Sequence, residues 1–249
     1  MTAAREHVIA DLRTRIALQS GPAKQSGCLP FGVDEIDTML PGGGLMRGAL
    51  HEFAGGGAGT VDGAAAALFV AGVAARTKGK IVWCLTRPDL FFPALAQAGL
   101  NANRVIFVEG DRQEDVLTSM EEALSYGGLG AVVGEVVRLP MLASRRLQLA
   151  AEKKGSLALV VRRWRRQSEA NDFGQPTAST TRWRVSALPS VALPVPGVGR
   201  ATWLLELMRS RAGECAEFIV GACDDQGRID LPSRSVDGSH SSRRSRHSG

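Results

Sequence analysis

The stretch that decides the fold is Ala49-Leu50-His51-Glu52-Phe53-Ala54-Gly55-Gly56-Gly57-Ala58-Gly59-Thr60-Val61-Asp62. Residues 49–54 form a strand-like apolar run, five of the next six residues are small, and residues 63–77 continue as an alanine-rich helix with almost no charge. Strand, glycine turn and helix in direct succession make the architecture of a phosphate-binding loop, where backbone N–H groups at a helix N-terminus face an anion. The full motif also needs a Lys for the β/γ-phosphates and a Ser/Thr hydroxyl for Mg²⁺. No register supplies the Lys. With Gly55 as first glycine the Lys position is Val61 and the hydroxyl position Asp62; with Gly59 as second glycine the Lys position is Thr60; with Gly63 it is Ala64. Gly55, Gly56, Gly57, Gly59, Thr60, Val61 and Asp62 therefore read as a degenerate loop, with Asp62 adding repulsion toward a phosphate.

Downstream, the rhythm is that of βαβ units. Ile81–Leu85 is a short apolar run, 89–98 a helix, 104–108 a strand, 111–126 an acidic amphipathic helix, 129–137 a strand, 142–153 a helix and 157–161 a strand. Alternation at these lengths implies an α/β fold with a mostly parallel sheet. The run Ala131-Val132-Val133-Gly134-Glu135 has Gly where a magnesium-supporting Asp is expected, and Glu135, one residue late, is expected on the opposite face. Residues 162–181 read as a long surface loop, and strands at 182–188, 201–208 and 216–222, with a short strand at 228–231, are expected to extend the sheet as antiparallel members.

Upstream, Val8, Ile9, Leu12 and Ile16 recur at helical spacing, predicting an amphipathic helix over 3–18, followed by a polar linker. The expected organisation is therefore helix and linker over 1–28, core over 29–232, and a disordered basic tail over 233–249.

Composition narrows the function classes. Glycine is 29 of 249 residues, and seven of these sit in the clusters at 42–44 and 55–59. The net charge is +5, of which the tail carries +3, so the body is nearly neutral and does not demand a polyanionic partner. There is no long uncharged apolar stretch for a membrane span and no apolar core of a signal peptide, so a cytoplasmic location is expected. Cys28, Cys84, Cys215 and Cys223 have no metal-ligand spacing, and His7, His51, His240 and His247 form no catalytic or metal motif. No cofactor and no metal are expected.

The segment Leu40-Pro41-Gly42-Gly43-Gly44-Leu45-Met46-Arg47-Gly48, before the strand and glycine loop, resembles the opening of a RecA-like core of the P-loop NTPase fold. Leu205–Arg211 and Ala216–Val220 look like its late antiparallel strand pair. The segment Thr180-Thr181-Arg182-Trp183-Arg184-Val185-Ser186-Ala187-Leu188-Pro189-Ser190, joined to a lysine-free glycine loop, resembles the ImuA family: RecA-like, also described as SulA-like, accessory proteins of the bacterial damage-induced mutagenesis cassette. The resemblance covers about residues 29–232. It implies a non-catalytic role in SOS-induced error-prone translesion synthesis and DNA repair, alongside an ImuB-like polymerase-related protein and an error-prone replicative-type polymerase alpha subunit. In a RecA-like arrangement the loop after the fifth core strand approaches DNA. Here that loop opens with Arg162, Arg163, Trp164, Arg165 and Arg166, which with Arg182 and Arg184 are the candidate single-stranded DNA contacts, guanidinium to phosphate and indole to base. A solvated basic turn or a protein-binding patch fits the same residues. Two other functions are weighed against the scaffold: an ATP-dependent recombinase or regulator, which the missing Lys disfavours, and a cell-division inhibitor.

Overall fold

The computed structural model describes residues 27–57, 59–164, 166–190, 193, 195–211 and 213–232. The expected helix over 3–18, the basic tail over 233–249 and Arg165 lie outside the described residues.

The strands are β1 Cys28–Leu29, β2 Leu45–Met46, β3 Ala49–Gly55, β4 Ile81–Leu85, β5 Val105–Glu109, β6 Ala131–Val136, β7 Leu157–Arg162, β8 Thr181–Leu188, β9 Thr202–Ser210 and β10 Ala216–Gly221. The helices are α1 Asp34–Asp37, α2 Thr60–Ala75, α3 Phe92–Gln97, α4 Gln113–Tyr126 and α5 Met141–Lys154. β1 and β2 pair as a small antiparallel two-stranded sheet, with α1 between them in the chain. The other strands make one sheet in the order β10-β9-β8-β3-β7-β6-β4-β5.

The direction of β8 corrects the sequence reading. It runs parallel to β3, and of the last three strands only β9 is reversed, because β10, antiparallel to β9, runs with the rest of the sheet. The expected strand at 228–231 is reduced to one bridge between Gly221 and Asp230.

Both faces of the sheet are covered, which is why β3, β4, β6 and β7 are buried along their length without polar alternation. α2 is apolar nearly all round because it lies between the sheet and the segment around Phe31. The few aromatics concentrate there: Phe31 stacks on Phe69 at 5.7 Å, and Phe53, Trp183 and Trp203 meet the same cluster edge-on. Trp183, flanked by arginines in sequence, is fully buried in this core. On the opposite face α4 presents Val116, Met120 and Leu124 at four-residue spacing, and α5 presents Leu147 and Ala151. α5 ends at Gly155 in the left-handed conformation (φ 68°), the usual backbone stop for a helix.

Residues 163–180 are not a free surface loop. β7 and β8 both run with β3, so the chain must return along the sheet between them. It does so across the α5 side, with a 3₁₀ turn at Gln167–Asp172 and Phe173 buried. Ala178 N donates to Ser144 Oγ of α5, and Thr180 N to Leu50 O.

His51 is enclosed on the α2 side. Its Nε2–H donates to Met46 O at 2.9 Å, and Nδ1 accepts from the Thr181 hydroxyl at 2.8 Å, which itself accepts from Trp183 Nε1 at 2.9 Å. This chain fixes the neutral tautomer, and burial drives the pKa from 6.5 to about 4. The unfolded chain takes up the proton near 6.5 and the folded one only near 4. The contribution is therefore intact above pH 6.5 and is lost as pH falls toward 4, with a slope of up to ~1.4 kcal/mol per pH unit. Urea midpoints of the wild type should drop across that window, and those of a His51→Gln variant should drop less steeply.

Candidate functional site

The carboxyl ends of β3, β4, β6 and β7 open onto a cavity of about 780 Å³, the position where ligands sit in open α/β sheets. Its floor is the glycine loop and the start of α2, with Gly59 as N-cap and no side-chain cap. Thr60 lines the cavity, whereas Val61 turns outward and is 67% exposed. Of the three Lys positions, Thr60 and Ala64 line the cavity and Val61 does not, so the registers with Gly59 or Gly63 as second glycine are the inward ones, and neither supplies a Lys.

The glycines are held by close packing. A Cβ on Gly56 would lie 1.7 Å from Ser186 Oγ, and one on Gly55 would lie 2.8 Å from the backbone at Asp62. Asp62 Oδ1 accepts from Ala187 N at 2.8 Å, pinning the start of α2 to β8. The carboxylate read from sequence as a repulsive neighbour of phosphate is thus a staple between helix and sheet.

Glu135 corrects a second expectation. Glu135 shares a face with Val133, which packs with Trp83 on the α2 side, and it lines the cavity. Gly134 faces α4 instead, where a Cβ would lie 2.0 Å from Met120 Sδ. Glu135 is therefore the β6 carboxylate directed at the glycine loop. It accepts from Trp83 Nε1 at 2.9 Å and from Arg163 Nη1 at 2.5 Å, and Arg163 also reaches Asp89 at 2.7 Å. Burial pushes the Glu135 carboxyl above its usual range, with Arg163 and Trp83 pulling the other way. For Arg163, burial would weaken the hold on its proton, and Glu135 and Asp89 more than reverse it.

The arginine cluster is divided by the fold. Arg162 and Arg182 are buried on the α5 side around the buried carboxylate of Glu52. Arg162 Nη1 donates to Glu52 Oε1 at 2.7 Å; Arg182 Nε donates to Oε2 at 2.9 Å, and Thr177 Oγ1 donates to the same oxygen at 3.0 Å. Arg162 also pairs with Asp172 and donates to Val137 O, and both guanidiniums lie over the Phe173 ring, at 5.8 and 5.2 Å. These two expected DNA contacts are thus internal supports of the returning loop. Arg163 is committed to Glu135 and Asp89, and Arg184 to Glu206 at 3.4 Å. Trp164 is half-buried, edge-on to Phe173 at 5.4 Å, with Nε1 directed at Gly57 O at 3.4 Å. Arg166 is exposed. Sequence reasoning missed Glu52, Asp89, Asp172 and Thr177; the one available signal was a Glu inside the apolar run Leu50-His51-Glu52-Phe53.

The residues present do not match a triphosphate–magnesium site. No lysine lines the cavity among the described residues, Asp62 is bound to Ala187, and Glu135 is bound to Arg163 and Trp83.

A parallel sheet with the glycine loop at the end of β3 and an antiparallel pair at one edge defines a RecA-like α/β protein. The RadB recombinase structure matches with a TM-score of 0.55 at 18% identity, over 82% of this chain and 99% of that one. No family model matches the chain. Protein ImuA of Caulobacter vibrioides, in two strains, is 37% identical over 215 residues, 82% of this chain and 87% of the relative. The chain belongs to the ImuA family.

Proposed function

We propose that the chain is a non-catalytic accessory factor of error-prone translesion DNA synthesis that assembles a polymerase complex with an ImuB-like protein. ImuA family membership and the RecA-like fold support an accessory role in mutagenesis and DNA repair. The observation that carries the non-catalytic part is the state of the cavity: Thr60 and Ala64 at the inward Lys positions, with Arg163 and Glu135 neutralising each other. A Mg²⁺-dependent ATP turnover assay should give no saturable rate above a protein-free control. Micromolar ATP affinity with turnover would favour the recombinase reading instead.

Single-strand contact belongs to this proposal through the exposed Arg166 at the turn of the returning loop. Arg166→Ala should weaken salt-dependent binding of single strands while leaving the urea midpoint unchanged. Unchanged affinity would remove this loop from the DNA interface. Arg162→Ala does not serve as that test, because it strips a buried ion pair.

A further inference from the structure

Charge is not spread evenly over the described residues. The segments 46–48, 153–156, 127–130, 77–80 and 98–104 lead into β3, β7, β6, β4 and β5, and they lie together at the edge of the sheet opposite the cavity. They contain Arg47, Lys78, Lys80, Arg104, Lys153 and Lys154 and no Asp or Glu. Among the described residues none of these cations forms an ion pair, whereas Arg112, Arg162 and Arg163 at the opposite edge are all paired.

Two of the cations are fixed in place by neutral groups. Arg104 donates to Ala75 O at 2.7 Å, Thr77 O at 2.6 Å and Gly79 O at 3.0 Å, and Lys80 Nζ donates to Asn103 O at 2.6 Å. Lys78, Lys153 and Lys154 are exposed. Glu122 and Glu152 border the edge, and the C-terminal ends of α2, α4 and α5 each add about half a negative charge. The cations stay in excess.

The stripe has the dimensions of a nucleic-acid strand. From β3 to β5 are four strand spacings, about 19 Å. A strand carries a phosphate about every 3.4 Å, so about five or six phosphates fit along it. Apolar surface is scarce here, Met46 and Tyr126 aside, which disfavours a protein interface with its apolar centre. Tyr126 is 83% exposed and precedes Gly127, where a Cβ would lie 3.1 Å from Lys154 Cδ. The exposed ring thus stands next to a lysine, placed to stack on an unpaired base.

We infer that this edge, from Arg47 to Arg104, is a second DNA surface, which grips the phosphate backbone of a single strand by charge and reads no sequence. The phosphate chemistry follows from the cations; that the strand is DNA rests on the role proposed above. The surface is separate from Arg166, which follows β7 at the other end of the same strands.

Fluorescence anisotropy of the full chain with a labelled single-stranded DNA, and with its duplex, tests this. Lys78→Ala/Lys80→Ala/Lys153→Ala/Lys154→Ala should weaken single-strand binding ~10-fold or more at low salt and reduce the slope of log K against log salt by about three. Its urea midpoint should not move, and Lys78→Arg/Lys80→Arg/Lys153→Arg/Lys154→Arg should bind as the wild type does. Binding that is unchanged in the alanine variant but falls in Arg166→Ala overturns this inference and leaves the proposed role standing. Absence of binding by the wild type overturns both this surface and the Arg166 contact. Tighter binding of the duplex than of the single strand overturns the single-strand assignment. Binding of poly-glutamate through the same lysines, with none of DNA, also overturns the inference, by assigning the edge to an acidic protein.

Discussion

Glu52→Ala should destabilise the protein by roughly 3–5 kcal/mol, the usual cost of removing one partner from a buried ion pair. The carboxylate is fully buried and is the common acceptor for Arg162, Arg182 and Thr177. Its removal leaves Arg182 without a carboxylate and Arg162 with Asp172 alone, both still enclosed beneath Phe173. For a chain of this size the fall in Tm should be on the order of 10 °C. Because the network holds down residues 163–180, proteolysis in that segment should accelerate together with the loss of stability. Glu206→Ala is the internal comparison. It breaks the partly exposed Arg184 pair and should cost no more than ~1 kcal/mol. Equal effects of the two substitutions in urea titrations would contradict the buried-network assignment.

Gly134→Asp is the second large effect. Reading the sequence alone, this change restores the carboxylate of a nucleotide site. In the structure it places a charge in the apolar layer beneath α4, where a Cβ would already lie 2.0 Å from Met120 Sδ and 2.8 Å from its Cγ. Overpacking and an unpaired buried carboxylate together should cost more than ~3 kcal/mol and bring no magnesium binding. Glu135→Gln, on the opposite face, should be much milder, because Trp83 can still donate to the remaining carbonyl oxygen. A stable, magnesium-binding Gly134→Asp protein would reverse the face assignment of β6.

That contrast shows where the sequence was legible. The strand–glycine loop–helix unit and the βαβ rhythm were readable because they depend on local pattern, and α2 extends from Thr60 to Ala75 much as its alanine run suggested. The family was legible as well, from the glycine loop and the segment 180–190. The facing of Glu135 was not. β6 is apolar on both sides, so its sequence has no alternation to mark which face looks toward α2. The direction of β8 was hidden for a different reason: residues 163–180 lack periodicity, and their path is set by contacts with Ser144, Leu50 and Glu52, far away in the chain. The arginines misled because charge is visible in sequence and its partner is not. Glu52 lies 110 residues before Arg162.

The proposed accessory role puts the protein's work in assembly and not in nucleotide turnover. Association with an ImuB-like protein, measured with and without ATP and Mg²⁺, tests that most directly. A complex of the same Kd in both conditions is expected; no complex at all, or one that forms only with hydrolysable ATP, would contradict the proposed role.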